Sequence, residues 1–347
     1  MASQSKTARM EALGPVGKWR SFATVGTIVL GCLGTAGCGT ADRPSSPPPA
    51  PEITMPDFNP DSAYAYVARQ VAFGPRVPNT PAHDACGEWL AEELARHGAE
   101  VTVQRGRVRA YDGTLLDIQN IVGTYHPESR DRVLLFAHWD TRPFADKDSV
   151  RINEPIDGAN DGGSGVGVLL EVARQLQRNP ADIGVDIVFF DAEDYGKPEW
   201  APSTENGYRD WCLGSQHWSE TPHRPGYRAR FGILLDMVGA KDAVFHQEGT
   251  SVRYAPHIVR KVWRRADQLG FGDRFPNSQT PPTIDDNYFV SEMAGIPSAN
   301  IVDYRTQVKP MGYGPFHHTH ADNMDIIDKE TLRQVGATVL SVVQQPS

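Results

Sequence analysis

Cysteine is scarce in this chain: four residues in 347, at Cys32, Cys38, Cys86 and Cys212. That excludes a disulfide framework, and no CxxC pair is present to hold a structural zinc. Basic excess is missing as well, since 34 Lys+Arg face 43 Asp+Glu for a formal charge of -9. Binding to nucleic acid needs phosphate neutralisation, so no nucleic-acid partner is expected. No apolar run reaches the ~20 residues that a membrane-spanning helix requires. What remains, 39% hydrophobic and 22% charged residues, is the composition of a folded protein and excludes wholesale disorder.

The amino terminus reads as a targeting segment. Lys6, Arg9, Lys18 and Arg20 precede a short apolar run from Phe22 to Gly37, the layout of an export signal. Thr35-Ala36-Gly37-Cys38 resembles a bacterial lipoprotein box with Cys38 as the acylated residue, and Val29-Leu30-Gly31-Cys32 is a competing match. Residues 1–38 are therefore expected to be a lipoprotein-type signal, with plain secretion as the alternative. Residues 39–56, rich in Pro, Ser and Ala, have too few apolar side chains to bury anything and read as a tether. The folded part is expected at 57–347, one catalytic domain in an exported, periplasmic or cell-envelope protein. Any membrane contact would run through the lipid anchor, and a monomer is expected.

Within 57–347, apolar runs alternate with amphipathic ones. Helical periodicity predicts helices over Ala63–Phe73, around Trp89, Leu90 and Leu94 up to Gly98, over Val166–Leu176 and Ile258–Leu269, and after Asp328. Val101–Val108 alternates like a strand, whereas Val133–Ala137, Val185–Phe190 and Phe231–Leu235 are continuous apolar runs, as in strands buried on both faces. Ile296–Val302 is a further strand. This order predicts an α/β three-layer sandwich, a mostly parallel mixed central sheet with helices on both faces.

Open sheets of this kind bind ligands at the carboxyl ends of their strands, and here those ends carry acids and imidazoles. Val133–Ala137 runs into His138-Trp139-Asp140, Val185–Phe190 into Asp191-Ala192-Glu193-Asp194, and Phe231–Leu235 into Asp236. Asp161 introduces the glycine-rich start of a helix, and His317, His318 and His320 cluster near the end. Singly, each has an ordinary reading: a packed histidine, a helix cap, solvated loop charges. Together, so many acids at one rim would repel one another unless a cation compensates, and zinc accepts this mixture of histidine and carboxylate ligands. Gly162-Gly163-Ser164-Gly165 lacks the Lys-Ser/Thr of a phosphate loop and fits a close backbone approach beside a metal site. Trp139, Trp200, Trp211 and Trp218 are candidates for a pocket wall or for core packing, and Cys86 with Cys212 for an isolated pairing. His320 reads as a surface or supporting residue.

The series His138-x-Asp140, Asn160-Asp161-Gly162, Glu193-Asp194, Leu235-Asp236-Met237 and His318-Thr319-x-x-Asp322-Asn323 resembles the zinc aminopeptidase and glutaminyl cyclase family over nearly the whole folded part. The resemblance implies zinc ligands at Asp161, Asp194 and His318, with Glu193 as general base and acid. Asp236 would be a second-metal ligand or a partner of Glu193. In the aminopeptidases of the family a second zinc shares the Asp161 position with His138 and Asp236. In the cyclases one zinc suffices, because the nucleophile is the substrate's own α-amine.

Three features resemble the cyclase branch, and the bacterial enzymes of the animal type most. The segment between Asp194 and Gly214 is long and carries Tyr195, Trp200, Tyr208 and Trp211; Leu234 to Ala240 has the cyclase form of that strand end; and Asp285-Asp286 precedes the last strand. Asp285 is thereby expected to join a hydrogen-bond network with Glu193 and Asp236. Three positions depart from the pattern: Asp194 stands for a glutamate, Asn300 for a histidine, and His317 for a tryptophan of the pocket wall. The expected activity is a zinc-dependent glutaminyl-peptide cyclotransferase acting on peptide or protein N-termini with one zinc. The alternatives are a di-zinc aminopeptidase and a metal-bearing protein that is not an enzyme.

Overall fold

The computed structural model describes residues 53–306 and 312–345. The expected signal segment, Cys32 and Cys38 included, and all but the last four residues of the expected tether lie outside the described residues.

Two capped helices open the fold. Asn59 caps α1 (Pro60–Val71) by accepting from the Asp61 and Ser62 N–H groups, and Thr80 caps α2 (Pro81–Arg96) through the His83 N–H. Each helix begins with a proline, which loses nothing there because the first-turn N–H groups have no partner within the helix. A hairpin of β1 (Glu100–Arg109) and β2 (Leu115–Tyr125) follows. Then come β3 (Arg132–His138), α3 (Gly163–Arg178), β4 (Gly184–Phe190), α4 (Leu213–Glu220) and β5 (Gly232–Asp236). The chain continues through α5 (Gly249–Tyr254), α6 (Pro256–Gln268), α7 (Asp286–Glu292) and β6 (Ser298–Val302). A small ribbon of β7 (Tyr304–Arg305) with β8 (Gly312–Tyr313) precedes α8 (Lys329–Gln344), which Asp328 caps through the Thr331 N–H.

The main sheet has the order β1-β2-β4-β3-β5-β6. Its β4, β3, β5 and β6 are mutually parallel, while β1 and β2 add an antiparallel edge. The expected mixed sheet with two helical faces is therefore present. The twofold alternation of strand side chains divides one apolar run between two cores. Val133, Leu135 and Ala137 of β3 join the large core with α1, α2, α3, α6 and α8, whereas Leu134 and Phe136 face Trp218 of α4 and Val290 of α7.

The structure differs from the sequence expectations in a few elements. Strand β2 has no counterpart among the runs the sequence marks, because Asp117, Gln119 and Asn120 break its apolar pattern. It is held nonetheless by ten paired positions with β1. Strand β6 starts at Ser298 rather than Ile296, since Pro297 has no N–H to give a neighbouring strand. Helices α5 and α7, of 6 and 7 residues, are too short to show a period. Cys86 and Cys212 are both buried and free, so the isolated pairing does not form.

The glycine-rich entry to α3 has a steric cause. A Cβ on Gly165 would lie 2.2 Å from the Leu235 carbonyl oxygen and 2.9 Å from the Ala137 Cβ, so only glycine lets α3 pass this close to β5 and β3. Gly165→Ala is expected to destabilise the protein by about 2–3 kcal/mol through overpacking, lowering Tm by about 5–10 °C in a thermal unfolding scan. An unchanged Tm would show that α3 can shift freely against the sheet.

Candidate metal centre and active-site cavity

Two buried aspartates hold the loops that present the site. Asp140 accepts the Glu193 N–H at 3.0 Å and the Asp194 N–H at 3.1 Å, one with each carboxylate oxygen. Asp322 does the same for Asn160 at 2.7 Å and Asp161 at 2.9 Å. Each acid thereby fixes the backbone of a proposed metal ligand without using that ligand's side chain. The segment 212–214 straps the β4 end, its N–H groups donating to the carbonyls of Glu193, Ala192 and Asp191. Ala192, Cys212, Met237 and His318 all have positive φ, between 49° and 58°. Non-glycine residues pay about 1–3 kcal/mol for sparsely populated conformations of this kind, and all four lie at or beside the strand-end cluster.

The side chains converge around Asp161. One Asp161 oxygen lies 3.1 Å from His138 Nε2, which is also 3.3 Å from Asp236. The other Asp161 oxygen lies 3.8 Å from His318 Nε2, which is 3.2 Å from Asp194. The opposite ring nitrogen of each histidine faces a further acid: His138 Nδ1 is 3.4 Å from Asp140, and His318 Nδ1 is 3.3 Å from Asp146. Carboxylates behind the imidazole in this way set the ring orientation of metal-binding histidines. Arg142 holds Asp146 in turn through two bonds of 2.6 Å.

Asp161, Asp194 and His318 are thus brought together, and His138, Asp161 and Asp236 form a second group with ligand atoms within 4.8 Å of one another. The residues fit a cation. Asp161 Oδ2 and Asp194 Oδ2 are buried without a hydrogen-bond partner, which is costly for carboxylate oxygens unless a positive charge faces them. Burial and the Asp161 charge push the Asp194 and Asp236 carboxyls up. Burial also opposes ionisation of Asp161, but bonding to His138 and the charges of His318 and Arg142 hold it below its ordinary value. His138 and His318 are pulled down by burial but raised overall by the surrounding acids.

His317, one of the clustered histidines, takes the place of a pocket-wall tryptophan in the family pattern and is not among the expected ligands. It stacks on His318 at 3.7 Å between ring centroids, and its Nε2 lies 3.8 Å from Asp161, close enough to join Asp161 and His318 as a third potential donor. Its Nδ1 is 2.7 Å from Lys147 Nζ. Burial and the neighbouring positive charges lower its pKa well below the ordinary imidazole value.

Glu193 stands beside this group. Burial, then Asp194, Asp285 and Asp286, push its carboxyl well above the ordinary value. Its Oε1 accepts from the Cys212 thiol at 3.2 Å, a contact nothing in the sequence announced. Asp285 lies within reach of Glu193, the two being grouped with Cys212 inside 4.8 Å. The hydrogen bonds of Asp285 run instead to the Asp286 N–H at 2.6 Å and the Asn300 amide at 2.7 Å, so the expected bonds to Glu193 and Asp236 are replaced by these donors, and Asn300, which departs from the family's histidine, is the side chain that holds Asp285.

Above the acids lies a cavity of about 470 Å³, walled by Tyr208, Trp211, Ile284, Tyr313 and His317, with Lys147 and Lys197 also lining it. Trp211 lies parallel to His318 at 6.1 Å and carries the Arg142 guanidinium on its ring. Of the four tryptophans considered for the wall, only Trp211 lines the cavity. Trp139 is buried against His83, Trp218 is buried against Phe190, and Trp200 packs on Phe144. His320 bonds Asp148 through its N–H and Nδ1 and joins none of the ligand groups among the described residues.

The sequence pattern of peptidase family M28 matches residues 120–343, from β2 to the last turn of α8. The chain belongs to peptidase family M28. Solved M28-like neighbours share the fold along nearly their full length. Glutaminyl cyclase of Tannerella forsythia is 54% identical with a TM-score of 0.81, covering 84% of this chain and 99% of that one. A Zn-dependent exopeptidase from Parabacteroides distasonis is 52% identical with a TM-score of 0.82, covering 84% and 100%. Aminopeptidase YwaD of Bacillus subtilis is 30% identical over 65% of this chain, and the match spans only 44% of that protein.

Proposed function

We propose that this M28 protein is a zinc-dependent glutaminyl-peptide cyclotransferase, converting N-terminal glutamine of peptides to pyroglutamate with release of ammonia. The observation that carries the reading is the aromatic connection between Asp194 and Gly214. It sets Trp211 parallel to His318, 6.1 Å away, and supplies Trp211 and Tyr208 to the wall of the cavity above the acids. Its agreement with a cyclase at 54% identity over almost that whole protein supports the same choice.

Asp161, Asp194 and His318 would hold the zinc, which supplies a Lewis acid for the γ-carboxamide carbonyl. The reaction forms a bond from the α-amine nitrogen to the carboxamide carbon and breaks the bond from that carbon to the amide nitrogen. Glu193 takes one proton from the attacking amine and delivers it to the departing nitrogen, which leaves as ammonia. Asp140 and Cys212 aim that carboxylate, Trp211 and Tyr208 exclude water from the ring being closed, and the intramolecular attack makes positioning the chief requirement. Asp285, anchored by Asn300, and Asp236 line the same cavity and can orient the α-amine by accepting hydrogen bonds from it.

One observation favours a second reading. The group His138, Asp161 and Asp236 would complete a two-metal centre, and this protein would then be an aminopeptidase. Incubation with a glutaminyl tripeptide separates the two. The cyclase is expected to release ammonia with the peptide bonds intact and to contain one zinc per chain. Free amino acid from a leucyl peptide, with two zincs per chain, would establish the hydrolase instead. For its location we propose export, with Cys38 or Cys32 acylated and the catalytic body monomeric in the cell envelope. The charged start and small-residue box of the sequence support that reading, and mass spectrometry of the mature amino terminus tests it.

A further inference from the structure

Helix α6 carries four Lys/Arg residues (Arg260, Lys261, Arg264 and the buried Arg265) and His257 against one acid, in a chain whose net charge is -9. His257, Arg260, Lys261 and Arg264 recur at the spacing of a single helical face, while Ile258, Val259, Val262, Trp263 and Ala266 bury the other. The basic face extends beyond the helix. Arg230 and His257 line one shallow hollow together with Lys261, whose ammonium also lies 5.8 Å over the Phe231 ring. Arg260 and Arg264 line the next hollow, with Asp267 and Asp273 beside them, and Arg230 pairs with Asp131. Positive charge outweighs negative even so.

The position of this face relative to the catalytic cavity decides what it can meet. Arg230 and Phe231 immediately precede β5, and Asp236 closes it, so strand rise separates them by about 16 Å. Helix α3 starts beside Asp161 and runs 16 residues to Arg178, about 24 Å away from the site. At that far end, Gln344 bonds the Asn179 carbonyl, Gln345 bonds the Thr54 carbonyl, and Arg265 of α6 bonds the Gln345 carbonyl. The chain therefore enters its folded body beside α6, at the end opposite the cavity. Between Cys38 and Ile53 lies at most about 50 Å of extended chain.

We propose that the α6 face, with Arg230, is a docking surface for anionic phospholipid, holding the protein on a membrane with its cavity turned away toward arriving peptide N-termini. A single acyl chain binds a membrane marginally and reversibly, and a basic surface is the usual second signal. Each Lys or Arg near an anionic surface adds to the attraction, within a Debye length. The proposal rests on the export reading for the direction of the tether and on nothing in the catalytic assignment.

The test is co-sedimentation of the full chain with phosphatidylcholine vesicles containing about one-third phosphatidylglycerol, at low salt. Arg260→Glu/Arg264→Glu is expected to lower the partition about tenfold or more, and Arg105→Glu/Arg107→Glu on β1 to leave it unchanged. Affinity from the amino-terminal segment is common to all forms and cancels in these ratios. Both double variants should keep the wild-type Tm and the wild-type turnover, which reports separately on the catalytic reading. If the α6 variant partitions like wild type, or the β1 variant loses as much, the α6 face is not the docking surface. Loss of partition with turnover absent in every form would instead overturn the cyclase reading and leave the surface standing.

Discussion

Glu193→Gln is expected to lower kcat by ~10²-fold or more, the usual consequence of losing a general base, with zinc content unchanged. Three features of the site make the substitution informative. The main chain at 193 is held by Asp140 through an N–H that glutamine also has, so the loop should stay in place. The side chain is not among the proposed zinc ligands, so metal loss should not accompany the change. The amide keeps the shape of the carboxylate but cannot take up the amine proton. Burial and the acids around Glu193 raise its pKa, bringing it toward the range in which one group can both accept and return a proton near neutrality. Ammonia release under single-turnover conditions, with metal analysed on the same sample, checks this. Normal turnover would move the proton transfer to Asp285 or Asp236 and dismiss Glu193 from that role.

The part of this site legible in the sequence is the part fixed by strand ends. His138 and Asp236 terminate β3 and β5, whose continuous apolar runs could be recognised because both of their faces are buried, and the same holds for Glu193-Asp194 after β4. The remainder depends on contacts between distant segments. Strand β2 hides its polar residues in bonds across the fold: the Gln119 N–H donates to Asp191, and the Asn120 amide donates to Gln104 and to the Gly214 carbonyl. No local period can carry that information. Arg142 and Asp146 give no signal either, since their importance lies in meeting His318 and Trp211. Cys212 offers only a pairing with Cys86 in the sequence, because a left-handed backbone that turns its sulfur toward Glu193 is not written in residue type. The tryptophans show the converse, for four aromatic positions were equal in sequence and only the packing separates Trp211 from the core. Asp322 lay between these cases, visible within the His318 motif while its task of holding the Asn160 and Asp161 backbone was not.

Stripping the protein with a chelator is expected to abolish turnover and to lower Tm, and readdition of zinc to restore both. A ligand that binds the folded state at ~100 times its Kd stabilises it by about 3 kcal/mol, which corresponds to about 5–10 °C in Tm for a domain of this size. The pH dependence gives a second, independent readout. Burial pushes the Asp286 and Asp322 carboxyls up to about 7, and Asp161 adds to the rise at Asp322. Asp194, Asp236 and Asp285 are raised as well, again chiefly by burial. A carboxyl raised in the folded state binds more protons there than in the unfolded chain, so the metal-free protein loses stability as pH climbs from about 4 through about 7. Zinc needs its ligands deprotonated and neutralises their repulsion, so its binding strengthens over the same window. The Tm gain on adding zinc should therefore be larger at about pH 7.5 than at about pH 5. A gain that is absent, or that shrinks as pH rises, would mean that these oxygens are not facing a cation, and with it would go the ligand assignment at Asp161, Asp194 and His318.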